Sequence, residues 1–122
     1  MTSAAPQSNA DVWQVTPADV ATIRHRFEDA LLIDCRTQLE FQNERVRGAQ
    51  LLPLQEITSR MSELNDWRSR VILIYCNTGR RSRILARFLA HRGFACVRSV
   101  AGGIEAWKQS FPEDCILAGP TC

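Results

Sequence analysis

The sequence is short of lysine. Lys108 is the only one among 122 residues, so nearly all the positive charge is arginine. Arginine stays charged at any working pH and presents a planar fork of donors to an anion. Charge of one dominant sign is also lacking. A net charge of +2 gives no electrostatic case for nucleic acid or a membrane surface as partner. No apolar run reaches the roughly 20 residues of a membrane span. Residues 1–11, MTSAAPQSNAD, have neither the basic start nor the apolar centre of a secretory signal, and read as a flexible lead. The cysteines are Cys35, Cys76, Cys96, Cys115 and Cys122. None stands in a C-x-x-C pair, so no metal-site pattern is present. An odd set of free thiols fits a reduced, cytoplasmic protein. The length allows one domain with a real core and excludes two.

What is present alternates between two periodicities. Val12–Val15 reads as a short edge strand. Thr16, Pro17 and Asp19 then make a capping-box start, and Val20, Ile23 and Phe27 share a helical face. Ala30–Asp34 is a continuous apolar run ending in an acid, as in a strand buried on both sides. Thr37 and Glu40 repeat the capping pattern ahead of Phe41, and Gly48–Pro53 holds another short strand. Leu54, Ile57, Met61 and Leu64 predict a helix. Val71–Tyr75, VILIY, is the clearest strand. Ile84, Leu85, Phe88 and Leu89 predict an amphipathic helix that Gly93 ends. Phe94–Val100 reads as the last strand, and Gly102–Gln109 as the last helix. The fold class is α/β: a small parallel sheet covered by helices on both faces, over residues 12–112, with 113–122 as a C-terminal tail.

Between the best strand and a helix lies CNTGRRS, Cys76 to Ser82. Ligands of open parallel sheets bind beyond the carboxyl ends of the strands. Gly79 permits a tight turn in which backbone amides converge, and the following helix adds its free amides and positive end. A cysteine here is a nucleophile candidate. Lowering a thiol pKa by roughly two units takes about 2.7 kcal/mol. A helix N-terminus with nearby arginine is the expected source. Asp34 and Arg36, at the end of another strand, are expected to form an ion pair bordering the site.

These segments resemble the single-domain rhodaneses, a sulfurtransferase family. CNTGRRS is similar to their active-site loop C-x-x-G-x-R-S. DCRTQLEF, with Asp34, Arg36, Glu40 and Phe41, resembles D-x-R-x-x-x-E-F. RGAQLLP resembles G-A-x-x-x-P at Gly48, Ala49 and Pro53. GFACVRSVAGGIEAW resembles the family's closing stretch, with Gly102, Gly103 and Trp107. The chain departs at Arg45 and Arg47, where the family often has histidine and proline. The resemblance implies that Cys76 takes sulfane sulfur from thiosulfate or a similar donor. It then passes this sulfur from a persulfide to cyanide or a thiol acceptor. It implies substrate contacts from Asn77, Thr78, Gly79, Arg80, Arg81 and Ser82, with Arg80 at the rim and Arg81 either facing the pocket or pairing with Asp34. It implies no metal or organic cofactor, because the chemistry is substitution at sulfur. A sulfur-relay or persulfide-carrier module serving a protein partner is the alternative. A phosphatase is disfavoured: four residues separate Cys76 from Arg81, where cysteine phosphatases use five.

The remaining residues read as structural. Cys35 and Cys96 are strand residues expected in the core, Cys35 facing away from Asp34 under a helix. Cys115 and Cys122 are spectator thiols in a mobile tail. A smaller possibility is that Cys122 reaches Cys76. His25 and His91 have no partners at ligand spacing, and Trp107 is a packing anchor.

Overall fold

The computed structural model describes residues 14–117. The elements in chain order are β1 (Gln14–Val15), α1 (Pro17–Arg26), β2 (Leu31–Asp34), α2 (Gln38–Asn43), β3 (Glu44–Val46), β4 (Gln50–Leu51), α3 (Ile57–Arg60), β5 (Val71–Tyr75), α4 (Arg80–His91), β6 (Cys96–Val100), α5 (Gly103–Ser110) and β7 (Cys115–Leu117). The flexible lead at 1–11, the first half of the Val12–Val15 strand, and Cys122 lie outside the described residues. Both predicted capping boxes form. Thr16 and Thr37 accept from the amides of Asp19 and Glu40, whose carboxylates accept from the threonine amides in return. Each exchange satisfies two of the donors that a helix start leaves open.

Five strands form one sheet in the order β1-β6-β5-β2-β4, with every neighbouring pair parallel. Side chains alternate across it. Leu31, Ile33, Ile72 and Ile74 enter one core with Leu85, Ala86 and Leu89 of α4. Leu32, Leu73 and Tyr75 enter the other, with Val20 of α1 and Ile104 and Trp107 of α5. Ile72, Leu73, Ile74 and Tyr75 are wholly buried. Each such side chain contributes about 1.5–3 kcal/mol on leaving water, so β5 is held hard on both faces. That rigidity fixes the position of Cys76, the next residue.

Three expectations needed correction. The Leu54–Leu64 segment is not one helix. Its α-helical part is only Ile57–Arg60, between 3₁₀ turns at Leu54–Glu56 and Met61–Trp67. The 3-4-3 spacing of its apolar residues is met by three-residue turns as well as by α turns; Ile57 and Leu64 are still buried. Phe27 and Ile84 are exposed, at 43% and 59%. The buried stripe of α4 is Ser82, Leu85, Ala86 and Leu89, and Ile84 points away from it. Phe27 sits past the last turn of α1 with the Arg26 guanidinium over its ring. Finally, part of the supposed tail is ordered. Cys115–Leu117 is β7, antiparallel to β3, with Cys115 opposite Val46. Asp114 anchors it, accepting from the Arg47 amide at 2.7 Å and from Trp107 Nε1 at 3.1 Å.

Candidate active site

The site begins where β5 ends. Cys76 is 1% exposed. Its carbonyl accepts from Ile104 N at 2.8 Å, and that of Asn77 from Glu105 N at 3.2 Å, so the first turn of α5 braces the loop from behind. Gly79 stands at φ +104°, the left-handed region that favours glycine. This conformation turns its amide inward, to 3.1 Å from Cys76 Sγ. Ser82 N, in the first turn of α4, lies 3.4 Å from the same sulfur, and Ser82 Oγ lies 3.5 Å from it. Ser82 Oγ is in turn 2.6 Å from Ser99 Oγ, and both serines are fully buried. When Cys76 is a thiolate, the Ser82 hydroxyl donates to sulfur and accepts from Ser99.

These contacts hold the Cys76 pKa down at about 4. The first cause is the Cys35 thiol, which donates towards the Cys76 sulfur. The Ser82 hydroxyl and the amides of Ser82 and Gly79 add to it, and burial opposes them. The expected source, a helix end with nearby arginine, is corrected in part: the helix-start amides of Gly79 and Ser82 contribute, but arginine charge is not among the leading causes, and Arg81 is held by Glu40. Cys35 is buried in the core as expected, but the alternation that turns it from Asp34 turns it towards Cys76.

Arg81 neither pairs with Asp34 nor turns onto the sulfur. Its guanidinium forks onto Glu40, Nη1 to Oε1 at 2.9 Å and Nη2 to Oε2 at 3.1 Å. Arg81 is the main cause that holds the Glu40 carboxyl down at about 2, with the Thr37 capping bonds adding and burial opposing. Asp34 pairs instead with Arg36, at 2.8 Å, and both are buried. Arg36 donates onward to Asn77 Oδ1 at 3.1 Å, while Asn77 Nδ2 donates to Glu40 Oε2 at 2.8 Å. Asn77 thus ties the ion pair Asp34–Arg36 to the pair Glu40–Arg81. The loop is held from the side by α2 as well as from behind by α5. Thr78 and Arg80 are exposed at the rim, and Arg80 has no ion-pair partner among the described residues.

The structure thus gathers Cys76, Asn77, Gly79 and Ser82 around one centre, leaves Thr78 and Arg80 at its edge, and turns Arg81 aside. Sequence reasoning did not assign Cys35, Glu40 and Ser99 to the site. Glu40 had a signal, since a capping carboxylate leaves one oxygen free for a second partner. Cys35 had only the alternation that turns it from Asp34, because the register that sets it against Cys76 is tertiary. Ser99 had none, because a serine inside a strand looks like any other.

Fold and site together define an α/β protein with a thiolate loop at the carboxyl end of a parallel sheet. The rhodanese-like domain model matches residues 16–110, and the chain belongs to that family. It is 39% identical over 82 residues to a sulfurtransferase of Allochromatium vinosum, covering 67% of this chain and 75% of that protein. Thiosulfate sulfurtransferase GlpE of Coxiella burnetii is 32% identical over 84 residues, covering 69% and 77%. The candidate sulfur carrier protein YrkF of Bacillus subtilis is 34% identical over 80 residues, and the match covers 66% of this chain but 42% of YrkF. Among solved structures, reduced Bacillus anthracis CoADR-RHD superposes with a TM-score of 0.75 at 27% identity, over 84% of this chain and 18% of that longer one.

Proposed function

We propose that this member of the family is a sulfurtransferase in which Cys76 carries sulfane sulfur as a persulfide. The observation that carries the reading is a thiolate, held at about 4, inside a ring of amide and hydroxyl donors. Cys76 Sγ attacks the outer sulfur of thiosulfate or a similar anionic donor, and sulfite leaves with the electron pair of the broken S–S bond. The inward amides of Gly79 and Ser82 stabilise the persulfide anion as they do the thiolate. Arg80 at the rim draws the anionic donor in, and Thr78 borders its path. Asn77, Asp34 and Arg36 keep the loop in shape, and Arg81 does so through Glu40. Cyanide or a thiol then removes the terminal sulfur. A reducing compartment such as the cytoplasm keeps the thiols available.

The Arg81–Glu40 ion pair also supports the preference for sulfur over phosphate. A cysteine phosphatase aims its loop arginine at the transferred phosphate, whereas Arg81 is spent on Glu40. The test is thiocyanate release from thiosulfate and cyanide, measured beside hydrolysis of an aryl phosphate. Thiocyanate release that disappears in Cys76→Ser, with negligible phosphate hydrolysis, is expected. Efficient phosphate hydrolysis by the same cysteine overturns the reading.

A relay role is the second reading. It draws support from the similarity to YrkF and from the exposed face of α4, where Arg80, Arg83 and Arg87 surround Ile84. Slow turnover with thiosulfate but fast transfer to or from a protein partner distinguishes it.

A further inference from the structure

Cys35 is a second buried thiol in the same core as Cys76, and no step of the proposed mechanism consumes it. Strands β2 and β5 pair in parallel, Leu31 with Ile72 through Asp34 with Tyr75. The next pair in the same register is Cys35 with Cys76. The backbone is still joined there, Cys35 N donating to Tyr75 O at 3.0 Å. Both side chains enter the α4-side core. Neighbouring strands run about 4.8 Å apart, and a disulfide needs Cα atoms roughly 4.4–6.8 Å apart. Two facing strand ends therefore place the Cα atoms of these cysteines within the range that a disulfide spans. No other described thiol is so placed. Cys96 pairs with Val71 at the opposite end of β5, about 16 Å along the strand from Cys76. Cys115 belongs to the separate β3–β7 ribbon. Cys35 is 0% exposed, and its register position and its core are those of Cys76.

We propose that Cys35 is a resolving thiol that attacks the persulfidic Cys76, closes a Cys35–Cys76 disulfide and expels the carried sulfur as hydrosulfide. The proposal rests on the persulfide reading of Cys76. In the step, the Cys35 sulfur bonds to Cys76 Sγ, and the bond from Sγ to the terminal sulfur breaks. The terminal sulfur leaves with that electron pair and takes the Cys35 proton, so a persulfide anion and a thiol become a disulfide and HS⁻. The two cysteine sulfurs are oxidised by two electrons in total, and the sulfane sulfur is reduced by two. An external dithiol resets the pair by thiol–disulfide exchange. Its hydrogen bond to Cys76, then burial and the negative charge on Cys76, keep Cys35 protonated. The proton is thus in place for the leaving group, and no free thiolate at Cys35 is required beforehand. The site then has two outcomes: transfer to an acceptor that arrives promptly, or release of sulfide when none does.

The test is a single turnover of the full chain with one equivalent of thiosulfate, without oxygen, cyanide or added thiol. Sulfite and sulfide are quantified, intact mass is measured, and linked peptides are mapped. The expected result is one sulfide released per chain, loss of two hydrogens from the mass, and a Cys35–Cys76 peptide. Cys35→Ser, in which a hydroxyl replaces the thiol that helps hold the Cys76 pKa down, is expected to release sulfite more slowly than wild type, to release no sulfide and to keep one added sulfur. Wild-type protein that keeps the added sulfur and releases no sulfide overturns the resolving role while leaving the persulfide reading standing. Equal sulfide release by both proteins overturns it as well. If neither protein releases sulfite or gains sulfur, the persulfide reading itself fails, and the resolving role with it.

Discussion

The Arg81 guanidinium and the Glu40 carboxylate are joined by two parallel hydrogen bonds, at 2.9 and 3.1 Å, across the gap between α4 and α2. The fork fixes the second arginine of the loop to a neighbouring helix, and leaves hydrogen-bond donors, not a facing arginine, to stabilise the thiolate. About a third of each side chain meets solvent, so the pair contributes on the order of 1 kcal/mol. Glu40→Gln is expected to lower the thermal midpoint by about 4–8 °C at neutral pH. The Glu40 pKa is depressed in the folded protein, so its contribution is complete above the ordinary carboxylate range and is lost as pH falls through about 2. The gap between wild type and variant should close on acidification. A gap that stays constant from neutral pH to strong acid contradicts this assignment.

Asp34→Asn removes the partner of a wholly buried guanidinium. Arg36 is 4% exposed and Asp34 0%, and breaking such a pair costs about 3–5 kcal/mol. Urea denaturation should show a large drop in midpoint with little change in slope. A loss below about 1 kcal/mol would mean that Arg36 finds compensation in Asn77 and the Glu44 carbonyl.

Cys76 should be charged across the whole physiological range. The difference in ultraviolet thiolate absorbance between wild type and Cys76→Ser is expected to hold from neutral pH downward and to fall through a midpoint of about 4. The folded pKa is depressed, so the associated stability is fully present above the ordinary thiol range and disappears as pH drops through that midpoint. A midpoint near 8.5, the value of a free thiol, would remove the basis for an activated nucleophile.

Gly103→Ala tests the brace behind the loop. A Cβ at Gly103 would lie 2.3 Å from the Cys76 carbonyl oxygen and 2.4 Å from that of Asn77, at φ +57°. Both are backbone atoms and cannot swing aside. The variant should lose at least about 1–3 kcal/mol, and its Cys76 pKa should rise as the cradle is pushed open. Unchanged stability together with an unchanged thiolate midpoint would show that α5 does not brace the loop.

Arg80→Ala should raise the Michaelis constant for thiosulfate, and the deficit should shrink with added salt. An exposed charge acts over about 10 Å at 0.1 M ionic strength. A salt-independent response would exclude steering by Arg80.

The sequence by itself determined the chain order of the parallel sheet's strands and its main helices, both capping boxes and the place of the thiol, but not the β3–β7 ribbon. These depend on neighbours a few residues apart: Thr16 with Asp19, Thr37 with Glu40, and an apolar strand running into Cys76-Asn77-Thr78-Gly79. Local chemistry has few solutions at that range. Only the tertiary structure decided which partner each charged group took. Arg81 chose Glu40, 41 residues away, because α2 is carried to the loop by the pairing of β2 with β5, and Asp34 was already satisfied by Arg36. The same pairing set Cys35 against Cys76. Alternation along one strand says which residues share a face, but the register between two strands is set by their packing, and that register makes two distant cysteines neighbours.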